Sequence, residues 1–154
     1  MELNELTKRL TLALSEKGYT ICTAEECTCG LLGATIASQD YSQRWYRGTI
    51  TVYTEDEAVK VLGVTPKVTR RTDFVSCQVA LQMALKALSL FNTNIAVSII
   101  GYVDGYGSSD VPSGEVQICV AKSVDKSTSF KYKKLHVNGG QRGKNLEVVI
   151  DEAL

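Results

Sequence analysis

The sequence predicts a single layered α/β/α domain built on a mixed, mostly parallel sheet. Apolar stripes at helical spacing alternate with short β-branched runs along the chain. One run, Asn94 to Ile100, is apolar almost without interruption, the signature of a strand covered on both faces. Two alternating runs, Glu115 to Ala121 and Ser129 to Leu135, lie close enough together for an antiparallel hairpin. At 154 residues with two prolines, no internal repeat and no low-complexity stretch, residues 1–154 read as one domain.

Each element has its own signal. Leu3, Leu6, Leu10 and Leu14 recur along one helical face, with Leu12 beside them, and Gly18 ends that helix. Tyr19 to Thr23 reads as a short strand, and residues 30–38 as a small, apolar, buried helix. Thr49 to Tyr53 is a second strand. Thr54 to Leu62 opens with a capping residue and an acidic first turn, then closes at Gly63. Ser76 to Phe91 is the clearest helix, striped by Val79, Met83, Ala87 and Leu90. A last helix is expected from about Gly143 to Leu154.

Composition narrows the function classes. Acidic and basic residues balance at 17 each, so the basic surplus that drives nucleic-acid binding is missing. Lys131 to Lys134, interleaved with Tyr132, reads as the solvated face of a strand. The N-terminal segment carries charges every few residues, and no apolar run approaches the roughly 20 residues of a membrane span. Five cysteines, an odd number without a leader, argue against a secreted disulfide framework. The expectation is a cytoplasmic protein with reduced thiols, no nucleic-acid partner and no membrane. Cys27 and Cys29 have C-x-C spacing, but the lone histidine, His136, lies far along the chain, so no metal and no cofactor are expected.

Three loops are placed to carry chemistry at the carboxyl ends of strands. The first, Thr23-Ala-Glu-Glu-Cys-Thr-Cys-Gly30, runs into a helix, so the amides around Cys27, Thr28, Cys29 and Gly30 should favour an anion. The second holds Gly101, Asp104, Gly105 and Gly107. The third, Asn138 to Arg142, supplies an arginine suited to phosphate or carboxylate.

These motifs, in this order, resemble the C-terminal domain family of the competence/damage-inducible protein CinA, whose stand-alone enzymes are nicotinamide mononucleotide amidohydrolases. The family's TAESCTGG matches Thr23 to Gly30. VxYSNEAKxxxLGV matches Val52 to Val64, and AVSxxVAxxMA matches Phe74 to Ala84. TGIAGPDGG followed by PxGxV matches Ser98 onward, then Pro112 to Val116, and FxGxR matches the segment ending at Arg142. The resemblance implies a nucleotide-like small-molecule ligand, and a homodimer as family members commonly form. It also implies hydrolysis of the carboxamide by a serine, assisted by a tyrosine and a lysine.

This chain departs from that chemistry. The serine position is Glu26 and the lysine position is Ala58, while Tyr53 is kept. Lys60 lies two residues on and should face away from Ala58 around a helix. Ile99, Tyr102, Val103 and Tyr106 replace small residues or proline, and Cys29 replaces a glycine, as if the pocket were partly filled. Ser98 keeps a hydroxyl where the family has threonine or serine. Catalytic candidates are therefore Glu26 and Tyr53. Ligand-binding candidates are Cys27, Thr28, Cys29, Gly30, Ser98, Gly101, Asp104, Gly105 and Arg142. Three readings stay open: an inactive relative that binds a nucleotide-like ligand, a rearranged hydrolase using Glu26 as base or Cys27 as nucleophile, and a structural or regulatory protein with a closed pocket.

Overall fold

A computed structural model describes residues 3–71, 73–104, 107–108, 110–138 and 141–154. In chain order the elements are α1 (Leu3–Lys17), β1 (Ile21–Glu25), α2 (Leu31–Ala37), a 3-10 turn (Ser42–Arg44), β2 (Tyr46–Thr51) and α3 (Glu55–Leu62). They continue with α4 (Pro66–Arg71), α5 (Cys77–Phe91), β3 (Ile95–Gly101), β4 (Glu115–Val124), β5 (Ser127–His136) and α6 (Arg142–Ala153). The sheet order is β2-β1-β3-β4-β5. β1 pairs in parallel with β2 and β3, while β3–β4 and β4–β5 are antiparallel. Four strands thus point one way, although two of the four pairings are antiparallel.

Strand periodicity splits the interior into two cores. On one face Cys22 and Ala24 of β1, Ala96 and Ile100 of β3, and Cys119 and Ala121 of β4 pack against α5, with Ala58 and Leu62 of α3. On the other, Ile21, Val97, Ile99 and Ile118 pack against Leu14 of α1, Leu32 and Ile36 of α2, and Val149 and Ile150 of α6. This is the expected three-layer architecture, with β1 and β3 buried on both sides.

Helix ends follow ordinary capping physics. Ser76 accepts the Val79 amide at 3.2 Å, capping α5. Gly63 closes α3 at φ 64°. Thr54 is extended before α3, yet its hydroxyl is bonded to the Glu57 carboxylate rather than to a backbone amide. The β4–β5 hairpin turns through Asp125 and Lys126, both at positive φ.

Several expectations shift. β1 runs on to Glu25, so Thr23, Ala24 and Glu25 of the first loop lie in the sheet. α4 and the 3-10 turn fall in segments where the periodicity predicts no element. β5 alternates in sequence but is exposed along almost its whole length, because it is an edge strand beyond the helical layers. Leu12 is 62% exposed, off the packed stripe of α1. Among the described residues no helix is long and apolar enough to cross a membrane.

Candidate functional site

β1 and β3 end side by side, and the loops that leave them meet the start of α6. The Glu26 amide donates to the Ile99 carbonyl at 2.9 Å, extending the β1–β3 ladder by one residue. This fixes the direction of the next side chain. The Glu26 carboxylate turns across the strand ends, and its Oε2 accepts the Gly101 amide at 3.1 Å. No side chain fits at Gly101, because a Cβ there would lie 2.7 Å from both the Glu115 carbonyl oxygen and Val116 Cα.

Arg142, the first residue of α6, completes the cluster. Its Nη1 donates to Asp104 Oδ2 at 2.7 Å, and its Nη2 donates to the Cys27 carbonyl at 3.1 Å and to the Tyr53 hydroxyl at 3.3 Å. One guanidinium thus ties together the β1–α2 loop, the β2–α3 loop, the loop after β3 and α6. A planar fork of donors suits three acceptors in three directions, which a single ammonium would serve poorly. The cluster is open on one side: Tyr53 is 55% exposed, and the Arg142 and Asp104 side chains are 38% and 46% exposed.

Glu26 is half-buried, and burial pushes its carboxyl from 4.5 up to about 7. The Gly101 amide and the Arg142 charge pull it back down, while Asp104 adds to the rise. Near neutral pH the group therefore exchanges a proton readily, which suits acid–base chemistry or a pH-dependent contact.

The structure brings Glu26, Tyr53, Gly101, Asp104 and Arg142 together, with the backbone carbonyl of Cys27. Gly105 and Tyr106 lie outside the described residues. The remaining candidates go elsewhere. The Ser98 hydroxyl points to the α5 face of the sheet and donates to the Ala80 carbonyl at 2.6 Å, because even-numbered β3 residues face α5. The Cys27 side chain is turned into the core, and burial pushes its thiol well above the ordinary range, with the Glu26 charge beside it adding to the rise. Proximity to a helix start does not activate it. Ile99 and Val103 are absorbed by the core rather than by the pocket, and Tyr102 donates to Asp73 at 3.3 Å.

Amides at the start of α2 are also unavailable to an anionic ligand, because the Glu25 carboxyl group holds them. Glu25, fully buried, accepts the amides of Gly30 (3.0 Å), Leu32 (3.0 Å) and Gly33 (2.7 Å). It also accepts the hydroxyls of Thr23 (3.0 Å), Thr28 (2.6 Å) and Thr49 (3.3 Å). The Cys29 amide is bonded to the Glu26 carbonyl, and Cys29 itself sits at φ 54°, in the left-handed region that glycine takes without strain. Thr28 and Gly30 thus tie the loop to Glu25, while the Cys29 side chain is exposed. Sequence reasoning passed over Glu25. A signal for it was present: α2 begins at a glycine, which offers no side-chain cap, so its first amides need an acceptor from elsewhere.

Ala58, at the lysine position, is fully buried in the α5-side core, and Lys60 points away to pair with Glu57 in solvent. Two other groups hold the loops in place. Asn145 donates to the Val103 carbonyl at 2.7 Å, and Asp73 accepts Ser108 at 2.5 Å and the Val75 amide at 3.0 Å.

The comparisons agree with this architecture. A CinA-like protein of Flavobacterium psychrophilum is 36% identical over 144 residues, covering 92% of this chain and 32% of its own length. The chain thus spans about a third of that relative. Nicotinamide-nucleotide amidohydrolase PncC of Escherichia coli is 32% identical over 122 residues, covering 78% of this chain and 73% of its own. The crystal structure of competence/damage inducible protein CihA from Agrobacterium tumefaciens superposes with a TM-score of 0.89 at 26% identity, covering 98% of this chain and 90% of that one. The sequence model of the CinA C-terminal domain matches residues 3–154, and the chain belongs to the CinA C-terminal domain family.

Proposed function

We propose that this chain binds a nicotinamide-nucleotide-like ligand at the Glu26–Arg142 cluster without hydrolysing it. The observation that carries the reading is the Glu26 carboxylate, anchored to the Gly101 amide at the position of the family's nucleophilic serine. A carboxylate there repels the oxyanion that builds up as an amide carbonyl is attacked, where catalysis needs donors. Ala58 removes the lysine as well, and losing a nucleophile together with its base partner costs far more rate than retained contacts recover. The exposed Tyr53 and the partly exposed Asp104 and Arg142 leave the cluster accessible, which favours a binding role over a closed pocket.

Ammonia release from nicotinamide mononucleotide by the purified protein tests the reading beside the Escherichia coli relative. The expected result is no release above background, together with a thermal shift on adding the nucleotide. Turnover comparable to the relative's overturns it.

One observation favours a second reading. A carboxyl titrating at about 7 is matched to general-base work at neutral pH. On that reading Glu26 activates water, the rate rises with pH through about 7, and Glu26→Gln abolishes it. The buried, unactivated Cys27 gives no comparable support for a thiol nucleophile.

A further inference from the structure

The Glu26 carboxylate turns its oxygens across the strand ends, where Oε2 accepts the Gly101 amide at 3.1 Å and the Cys27 backbone amide also acts on the group. The groups that act on Glu26 come from several elements: Arg142 at the start of α6, Asp104 and Gly101 after β3, and Cys27 beside it. Tyr102 also lies within its field. The nearby cation is already committed, since Arg142 serves Asp104, the Cys27 carbonyl and Tyr53. Glu26 therefore offers a ligand an acceptor whose one nearby cation, Arg142, is shared with Asp104.

We propose that Glu26 makes the site selective for a carboxamide over the corresponding carboxylate, and so for a nicotinamide nucleotide over a nicotinate nucleotide. This rests on the reading above, in which the ligand's amide sits at the nucleophile position. A carboxamide donates an N–H to the Glu26 carboxylate. A carboxylate has no donor and places like charge against like, which disfavours it strongly in a half-buried site. Replacing the serine by glutamate then converts a site that removes the amide into one that registers whether the amide is present. The selectivity grows as Glu26 ionises and fades as it is protonated, because a neutral carboxyl can donate to the carboxylate ligand. The phosphate is common to both nucleotides, so its own titration cancels in the ratio of their affinities.

Calorimetric titration of the full chain with nicotinamide and nicotinate mononucleotides, at about pH 6 and about pH 8.5, tests this on either side of Glu26's value of about 7. The expected preference for the amide is at least about tenfold at the higher pH and several-fold smaller at the lower. Glu26→Gln, which keeps an acceptor for the Gly101 amide but carries no charge, should bind both nucleotides with a ratio near one at both pH values. Equal affinities at the higher pH, or an undiminished preference in Glu26→Gln, overturn the selectivity while leaving nucleotide binding intact. Binding of neither nucleotide by the wild-type chain overturns the binding reading itself, and the selectivity with it.

Discussion

Arg142 and Asp104 stand 38 residues apart in sequence and meet with Nη1 2.7 Å from Oδ2. Both side chains are more than a third exposed, so solvent screens the pair and its share of stability is about 1 kcal/mol or less. Its importance is positional. Arg142→Lys should leave the urea midpoint almost unchanged, yet weaken nucleotide binding by about tenfold, because an ammonium cannot hold three divergent acceptors. Titration beside a denaturation curve checks both halves of this expectation.

Glu25 should behave in the opposite manner. Its carboxylate collects three amides and three hydroxyls in a fully buried place. Glu25→Gln turns an NH2 group toward donors that need an acceptor, and should cost about 3 kcal/mol in urea denaturation at an unchanged m-value. A loss below about 1 kcal/mol would show that the amides of α2 re-pair easily.

The raised Glu26 value gives stability a pH dependence of definite sign. Between 4.5 in the unfolded chain and about 7 in the folded one, the native state binds the proton more tightly. Stability from this group is therefore fully present below the unfolded value and falls as pH rises toward 7. Glu26→Gln should flatten that limb and be the more stable protein at about pH 8, by about 2 kcal/mol once partial solvent access is allowed for. Chemical denaturation of both proteins across this range measures it.

Gly101→Ala tests the close approach of β3 to β4. The new methyl would press on the Glu115 carbonyl and the Val116 backbone, neither of which can rotate away. A loss of about 2 kcal/mol or more is expected, with weaker nucleotide binding as the Glu26 anchor shifts. Thermal melting and titration of the same preparation report the two effects.

Much of the fold was legible because its strands and helices carry strong periods: α5, β3 and β4 all appear where expected, although Leu90 of the expected α5 stripe is 54% exposed. The end of β1 was missed because a glutamate reads as loop when its acceptor role is invisible, and six donors from elsewhere make it a core residue. α4 is short, although Pro66 at its first position is the kind of start signal that favours a helix. In the site, motif order located Glu26, Tyr53, Asp104 and Arg142, but not which way each side chain points. Ser98 illustrates the difference. Its position in the motif is right, while strand parity sends its hydroxyl to α5. The amides of Gly30, Leu32 and Gly33 show the same lesson from the donor side, since Glu25, one residue before the supposed nucleophile position, already holds them.

Arg142 bonds to a carbonyl 115 residues earlier in the chain and to a hydroxyl 89 residues earlier. The cluster has no local version: no hairpin or helix pair contains it, and it comes into being only when the last helix docks on a finished sheet. Any molecule that recognises it recognises completed folding, so its concentration sets how firmly the C-terminal helix stays in place.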